Sequence, residues 1–175
     1  MKRLRRLLVL LPLSAALLLS SGQARADDNA AFIRGCLEAA ARVYRVPPAI
    51  LVVLLNVEGG SLGAVSSNDN GTVDIGPMQV NQIWLPQIAA HWRTTERKAF
   101  VALRDSFCAN VEAGTWILRQ GLDEARGDLW EGVGYYHSHD PLHKQTYLRL
   151  VLREVLRLQA LHKAVAAAAP ARIGP

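Results

Sequence analysis

Apolar positions recur at helical spacing over most of the chain. Phe32, Cys36, Ala39, Ala40 and Val43 follow one another at such intervals, with Asp27-Asp28-Asn29 ahead of them as capping residues. The pattern predicts a first helix from about Ala30 to Tyr44. Pro47-Pro48 then interrupts and restarts the chain, since proline suits a first helical turn. From Ala49 to Glu58 the residues are apolar on every face until the end. The β-branched content would also suit a strand. The prolines before it and Gly59-Gly60 after it favour a helix with a glycine cap, buried on all sides.

Between Gly59 and Gly76 the chain is rich in Gly, Ser, Asn and Asp and shows no helical period, which predicts a loop or small irregular sheet. Helical patterns return over Gln82–His91, Thr95–Arg104 and about Ser106–Gln120. A short Trp130–His137 segment precedes Pro141, and a long helix is expected from about Lys144 to Val165. The tail Ala166–Pro175 reads as frayed and linker-like. No internal repeat or heptad stands out. The fold class expected is α+β, mostly α, with a small β insertion after the second helix.

The start of the chain changes this picture. Lys2, Arg3, Arg5 and Arg6 precede an apolar run from Leu7 to Leu19, and Ala24-Arg25-Ala26 follows a polar stretch. That order is a secretory signal with cleavage expected after Ala26. An uncleaved anchor is the competing reading, but the run is shorter than the roughly 20 residues that span a bilayer. The formal charge of +5 resides entirely in this segment, because the remainder holds fifteen basic and fifteen acidic residues. The excess therefore gives no argument for nucleic-acid binding. The domain is expected at 27–165, one core of ordinary size. In an exported chain Cys36 and Cys108 are expected to form a disulfide rather than remain as two buried thiols.

Glu58 carries the candidate chemistry. It closes an apolar helix, so desolvation and the helix C-terminus both disfavour its charged form. A carboxyl that stays protonated near neutral pH can act as a general acid. Position alone does not separate this from an ordinary exposed glutamate at a helix end.

Two downstream motifs do. Asn68-Asp69-Asn70-Gly71-Thr72-Val73-Asp74-Ile75-Gly76-Pro77-Met78-Gln79-Val80-Asn81 and Trp130-Glu131-Gly132-Val133-Gly134-Tyr135-Tyr136-His137-Ser138 stand in order after Glu58. The trio resembles the lysozyme-like superfamily, and within it the Slt-type lytic transglycosylases of the branch that accompanies secretion, pilus and conjugation machines. The resemblance covers about Cys36 to Tyr147. It implies a lysozyme-like fold and a peptidoglycan lytic transglycosylase with Glu58 as catalytic acid. It also implies a groove floor of Glu58, Met78, Gln79 and Tyr136, joined by Asn81, His137 and Asp74 as substrate-binding residues. In the family the tyrosine of the second motif hydrogen-bonds the glutamate, so Tyr136 is expected to do so here. His137 stands where asparagine is usual, and Asn110 matches an asparagine that precedes this motif. Gly59 replaces the usual serine, removing one side-chain contact unless Ser61 supplies it.

Asp74 has two readings. Animal-type lysozymes are similar around Gly71, Asp74, Gly76, Gln79 and Asn81, and there the aspartate is a second catalytic carboxylate. A hydrolase needs such a pair, whereas a transglycosylase needs one carboxyl. The branch resemblance favours Glu58 alone, with Asp74 lining the groove or accepting backbone hydrogen bonds in its turn. No cofactor is expected. No metal is expected either, since His91, His139 and His143 lack ligand spacing. Asp69 and Asn70 read as turn formers and Trp116 as core. Trp84 and Trp130 are open between core and sugar stacking. Arg149, Arg153 and Arg157 form a stripe that reads as a solvated face. The partners expected are glycan strands and a secretion or conjugation apparatus, with no stable membrane span after signal cleavage. A hydrolytic muramidase and a non-catalytic wall-binding assembly factor are the alternatives.

Overall fold

The structure, a computed structural model, describes residues 14–168. The basic start, most of the apolar leader and the last residues of the tail lie outside them. The chain divides into two units, Met1–Arg34 and Gly35–Pro175. The described part of the first is helical throughout.

Among the described residues, seven helices and three short strands follow one another. They are α1 (Ser14–Tyr44), α2 (Pro48–Glu58), β1 (Val65–Ser67), β2 (Val73–Ile75), β3 (Val80–Asn81), α3 (Leu85–His91), α4 (Glu96–Asp105), α5 (Phe107–Glu124), α6 (Leu129–His137) and α7 (Pro141–Ala168). A 3-10 turn over Gln82–Trp84 joins β3 to α3. The result is the mostly α, α+β lysozyme-like architecture expected. Among the described residues no single helix is long and apolar enough to cross a membrane.

Several boundaries differ from the pattern, each for a physical reason. α1 is already helical at Ser14, the first described residue, well ahead of Ala30, because no proline separates that stretch from Tyr44 and a lone Gly22 costs a helix only about 1 kcal/mol. Thr95, Ser106 and Asp128 stand outside their helices as caps, their side chains accepting from the amides of Lys98, Ala109 and Glu131. α5 continues past Gln120 because Gly121 and Leu122 are still buried. α6 is a regular helix despite Gly132 and Gly134, both buried. α7 begins at Pro141, three residues before Lys144, and carries Ala166–Ala168 in regular helix where a frayed tail was expected.

The core is built by α2 (Leu51, Leu54), the sheet and its turn (Ile75, Met78, Val80), α3–α5 (Ile88, Leu103, Val111, Leu118), and Val133 and Val151 from the last two helices. α2 packs against α7, and α5 runs along α6. The expectation that α2 is buried on all sides does not hold. Val52 is 38% exposed and Ala49 is open. With Ile50, Leu129, Trp130 and Leu158 they line an apolar groove left between α2, α6 and α7. Cys36 in α1 is bonded to Cys108 in α5 with 5.0 Å between Cα atoms, within the range a disulfide spans.

The antiparallel sheet has the order β1-β2-β3. Asp74 lies opposite Ser66 on one side and Asn81 on the other, while Ile75 is paired with Val65 and Val80. This register turns Ile75 into the core and leaves Asp74 half-buried beside the cleft described next.

Candidate active site

α2 ends where its sequence says it should. Gly59 adopts the left-handed conformation (φ 63°) and its amide closes onto the Leu55 carbonyl at 3.1 Å. Glycine suits that cap, since a β-carbon is disfavoured at positive φ. Glu58, the last helical residue, lies at the edge of a cleft of about 570 Å3. Other parts of the cleft come from the sheet and its loops (Asp69, Asp74, Gln79, Asn81) and from His137, the last residue of α6. Ser61 is not among the lining residues.

Burial pushes the Glu58 carboxyl from 4.5 up to about 7. The Tyr147 hydroxyl, which donates to Oε1 at 2.5 Å, opposes that rise, and the negative charge of Asp74 reinforces it. The group is thus a half-buried carboxylic acid that retains its proton to about neutral pH. Tyr147 is itself buried in α7, and its hydroxyl is held strongly in the neutral form by burial and by Glu58. The His137 ring lies flat on it, with centroids 4.3 Å apart and planes 2° from parallel. Burial, with help from His143, pulls His137 below the usual histidine value.

The turn between β2 and β3 is shaped from beneath. Asn110 in α5 is fully buried and accepts from the Met78 amide at 2.7 Å while donating to the Ile75 and Leu103 carbonyls at 2.8 and 2.9 Å. Gly76 turns there with φ 70°, and a β-carbon on it would stand 2.4 Å from both Asn110 Nδ2 and the Leu103 carbonyl. Gln79, also at positive φ (46°), donates to the Gly76 carbonyl at 2.8 Å and faces the cleft. The Asn110 amide therefore fixes the loop that carries Gln79.

Three expectations need correction. Tyr136 does not bond Glu58; its hydroxyl donates to the Met78 carbonyl at 2.9 Å, and Tyr147 makes the contact to the glutamate. Met78 is not a floor residue. Its side chain is fully buried against Gly114, because the turn directs it into the core and leaves its carbonyl for Tyr136. Asp74 takes no backbone hydrogen bond in its turn; Oδ1 accepts from the Asn81 side-chain amide at 2.7 Å. Asn81 also donates to Thr72 Oγ1 and accepts from the Ile83 amide, so it ties β2, β3 and the 3-10 turn together. Asn70 is a turn former as expected, accepting from the Thr72 amide at 3.0 Å.

Residues that the sequence reading passed over complete the site. Tyr147 had a visible signal, as the aromatic member of the stripe Tyr147, Val151, Val155 and Leu158 on α7, yet such a stripe reads as core. His143 and Asn68 also line the cleft. Trp84 lines it too, whereas Trp130 lies in the apolar groove on α2. Trp116 packs against the core as expected. The arginine stripe is solvent-exposed, with Arg157 paired to Glu154.

The site is a half-buried carboxyl, poised to give up a proton near neutral pH, in a cleft on a mostly helical frame with a three-stranded insertion. Residues 35–145 match the family model described as the Transglycosylase SLT domain, so the chain belongs to that family. Its members are lytic transglycosylases, lyases that act on peptidoglycan. A search of curated proteins returned no match.

Proposed function

We propose that the chain is an exported lytic transglycosylase that cuts the β-1,4 bond between N-acetylmuramic acid and N-acetylglucosamine with Glu58 as its one catalytic carboxyl. The observation that carries this reading is the Glu58 acid, raised to about 7 and held by the Tyr147 hydroxyl within the cleft. Protonated Glu58 gives its proton to the glycosidic oxygen as the bond to C1 breaks. The resulting carboxylate takes the proton of the muramyl 6-hydroxyl as O6 bonds to C1, leaving a 1,6-anhydro sugar and consuming no water. Gln79, Asn81 and His137 line the cleft and supply hydrogen-bonding groups to the glycan, while Tyr136 acts by holding the Met78–Gln79 backbone.

Asp74 lines the same cleft, and that position keeps hydrolysis as a second reading. Its engagement by Asn81 supports a structural and electrostatic role. The basic, apolar and A-x-A order at the start of the chain supports export to the periplasm, and the resemblance of the sheet-loop motif supports service to a secretion, pilus or conjugation machine. Digestion of purified sacculi followed by mass analysis of the muropeptides tests the chemistry. Anhydro ends are expected; reducing ends, lost together with all cleavage in Asp74→Asn, would make it a muramidase. Clearing that survives Glu58→Gln would refute the catalytic assignment and favour an assembly factor.

A further inference from the structure

Glu58 and His137 both line the cleft, whereas Tyr147, whose hydroxyl bonds Glu58, is only 3% exposed and does not. The orientation of that hydroxyl is therefore set by what packs on the phenol ring. His137 covers one face of it in a flat stack, 4.3 Å between centroids and 2° from parallel. The imidazole is itself solvent-exposed, and an exposed side chain holds such a geometry only where its backbone is well anchored.

The anchoring comes from the corner between α6 and α7. His137 ends α6, and Ser138, His139 and Asp140 alone separate it from Pro141. The Ser138 amide closes onto the Gly134 carbonyl at 3.0 Å, and Asp140 Oδ1 accepts from the amides of Leu142 and His143 at 3.0 and 2.9 Å. Tyr135 stacks on His139 with centroids 4.5 Å apart and planes 10° from parallel, while Lys144 lies 4.7 Å over the Tyr135 ring and pairs with Glu131. Gly134 lets the two helices close up, since a β-carbon there would stand 2.6 Å from Lys144 Cγ. The backbone that carries His137 is thus fixed against the helix that carries Tyr147.

We propose that His137 is a positioning residue for the acid: its ring holds the Tyr147 phenol in the orientation from which the hydroxyl donates to Glu58 Oε1. This rests on the reading of Glu58 as the catalytic acid. The histidine suits the task uncharged, because a cation so close would favour the carboxylate form of Glu58 and release its proton early. Partial removal from water and the nearby His143 keep the imidazole neutral, against the pull of Asp74. Asp74 of β2, Tyr136 of α6 and Tyr147 of α7 are the titrating groups that face Glu58, and the stack acts on the last of them.

The test compares pH–rate profiles for cleavage of purified sacculi by the wild type and by His137→Ala, His137→Leu and His137→Phe, with folding checked by near-UV circular dichroism. Loss of the flat ring weakens a bond that favours the carboxylate, so Glu58 keeps its proton to higher pH. In His137→Ala the declining alkaline limb is expected to move up by about half a pH unit, with kcat lowered roughly threefold to tenfold. His137→Leu fills the space without a flat ring and should behave alike. His137→Phe keeps the stack and loses the ring nitrogens, so the limb and kcat should return close to the wild-type values while KM stays raised. Added to Tyr147→Phe, His137→Ala should move the limb no further, because it acts through the phenol hydroxyl. An unchanged limb in folded His137→Ala and His137→Leu overturns the positioning role, as does a full further shift in the Tyr147→Phe background. A shift in His137→Phe as large as in His137→Ala overturns the stack as its cause. Failure of the underlying reading looks different: cleavage that survives Glu58→Gln sinks the acid itself, whereas cleavage lost in Glu58→Gln with an unmoved limb in His137→Ala sinks the positioning role alone.

Discussion

Replacing Glu58 by glutamine should stabilise the protein, and should do so only above acid pH. In the unfolded chain the carboxyl titrates at its ordinary 4.5, and in the fold at about 7. Between those values the folded state holds a proton that the unfolded state has released. Stability therefore falls as pH rises through this window and has lost the whole contribution above about 7. At about 1.4 kcal/mol for each pH unit the full difference is about 3 kcal/mol, and partial solvent access to a half-buried group brings it to about 2 kcal/mol. Glutamine keeps an acceptor for the Tyr147 hydroxyl and carries no proton to lose. Urea unfolding followed by circular dichroism, with the disulfide intact, compares the two proteins at several pH values. Near pH 4 their midpoints should differ little, and at pH 8 the variant should lead by about 2 kcal/mol, or about 4–8 °C in Tm for a domain of this size. Every other titrating group is common to both, so the difference between the curves isolates Glu58. Parallel curves from pH 4 to 8 would refute the claim that burial raises this carboxyl, and with it the physical basis of its acid role.

The pH dependence of cleavage should shift in opposite directions for the two groups that act on Glu58. Wild-type turnover of peptidoglycan should decline above about pH 7 as the acid loses its proton. Tyr147→Phe removes a bond that favours the carboxylate, so the declining limb moves up in pH; Asp74→Asn removes a charge that disfavours it, so the limb moves down, both read from pH–rate profiles. Asn110→Ala leaves three buried backbone partners unpaired and should lower stability by about 3 kcal/mol or more, measured as a fall in the urea midpoint. Reducing Cys36–Cys108 releases a crosslink across 72 residues of sequence and should lower stability by about 4 kcal/mol, seen as a lower Tm in dithiothreitol.

Much of the frame is legible in the residues themselves. The proline pair at 47–48 and the glycine at 59 mark α2 to within a residue, because backbone restriction and positive φ are properties of single residues. Glu58 is visible as an acid for the same local reason, since an apolar helix offers a carboxyl little solvation. Cys36 and Cys108 were legible from parity and export, and their pairing is observed. Helix ends were less legible. Thr95 and Ser106 belong to the helical pattern by periodicity and stand outside it as caps, and α6 forms through its neighbours in spite of two glycines.

What the sequence alone determined is the order of elements and the presence of one unusual acid, both of which follow from short-range chemistry. Which side chains meet that acid was decided by packing. Tyr136 and Tyr147 are eleven positions apart on different helices, and nothing local distinguishes the one that anchors the Met78 carbonyl from the one that holds Glu58. The fate of Met78 likewise depends on how α5 lies beneath the sheet loop. Those contacts join residues tens of positions apart, and their geometry exists only once the core has closed.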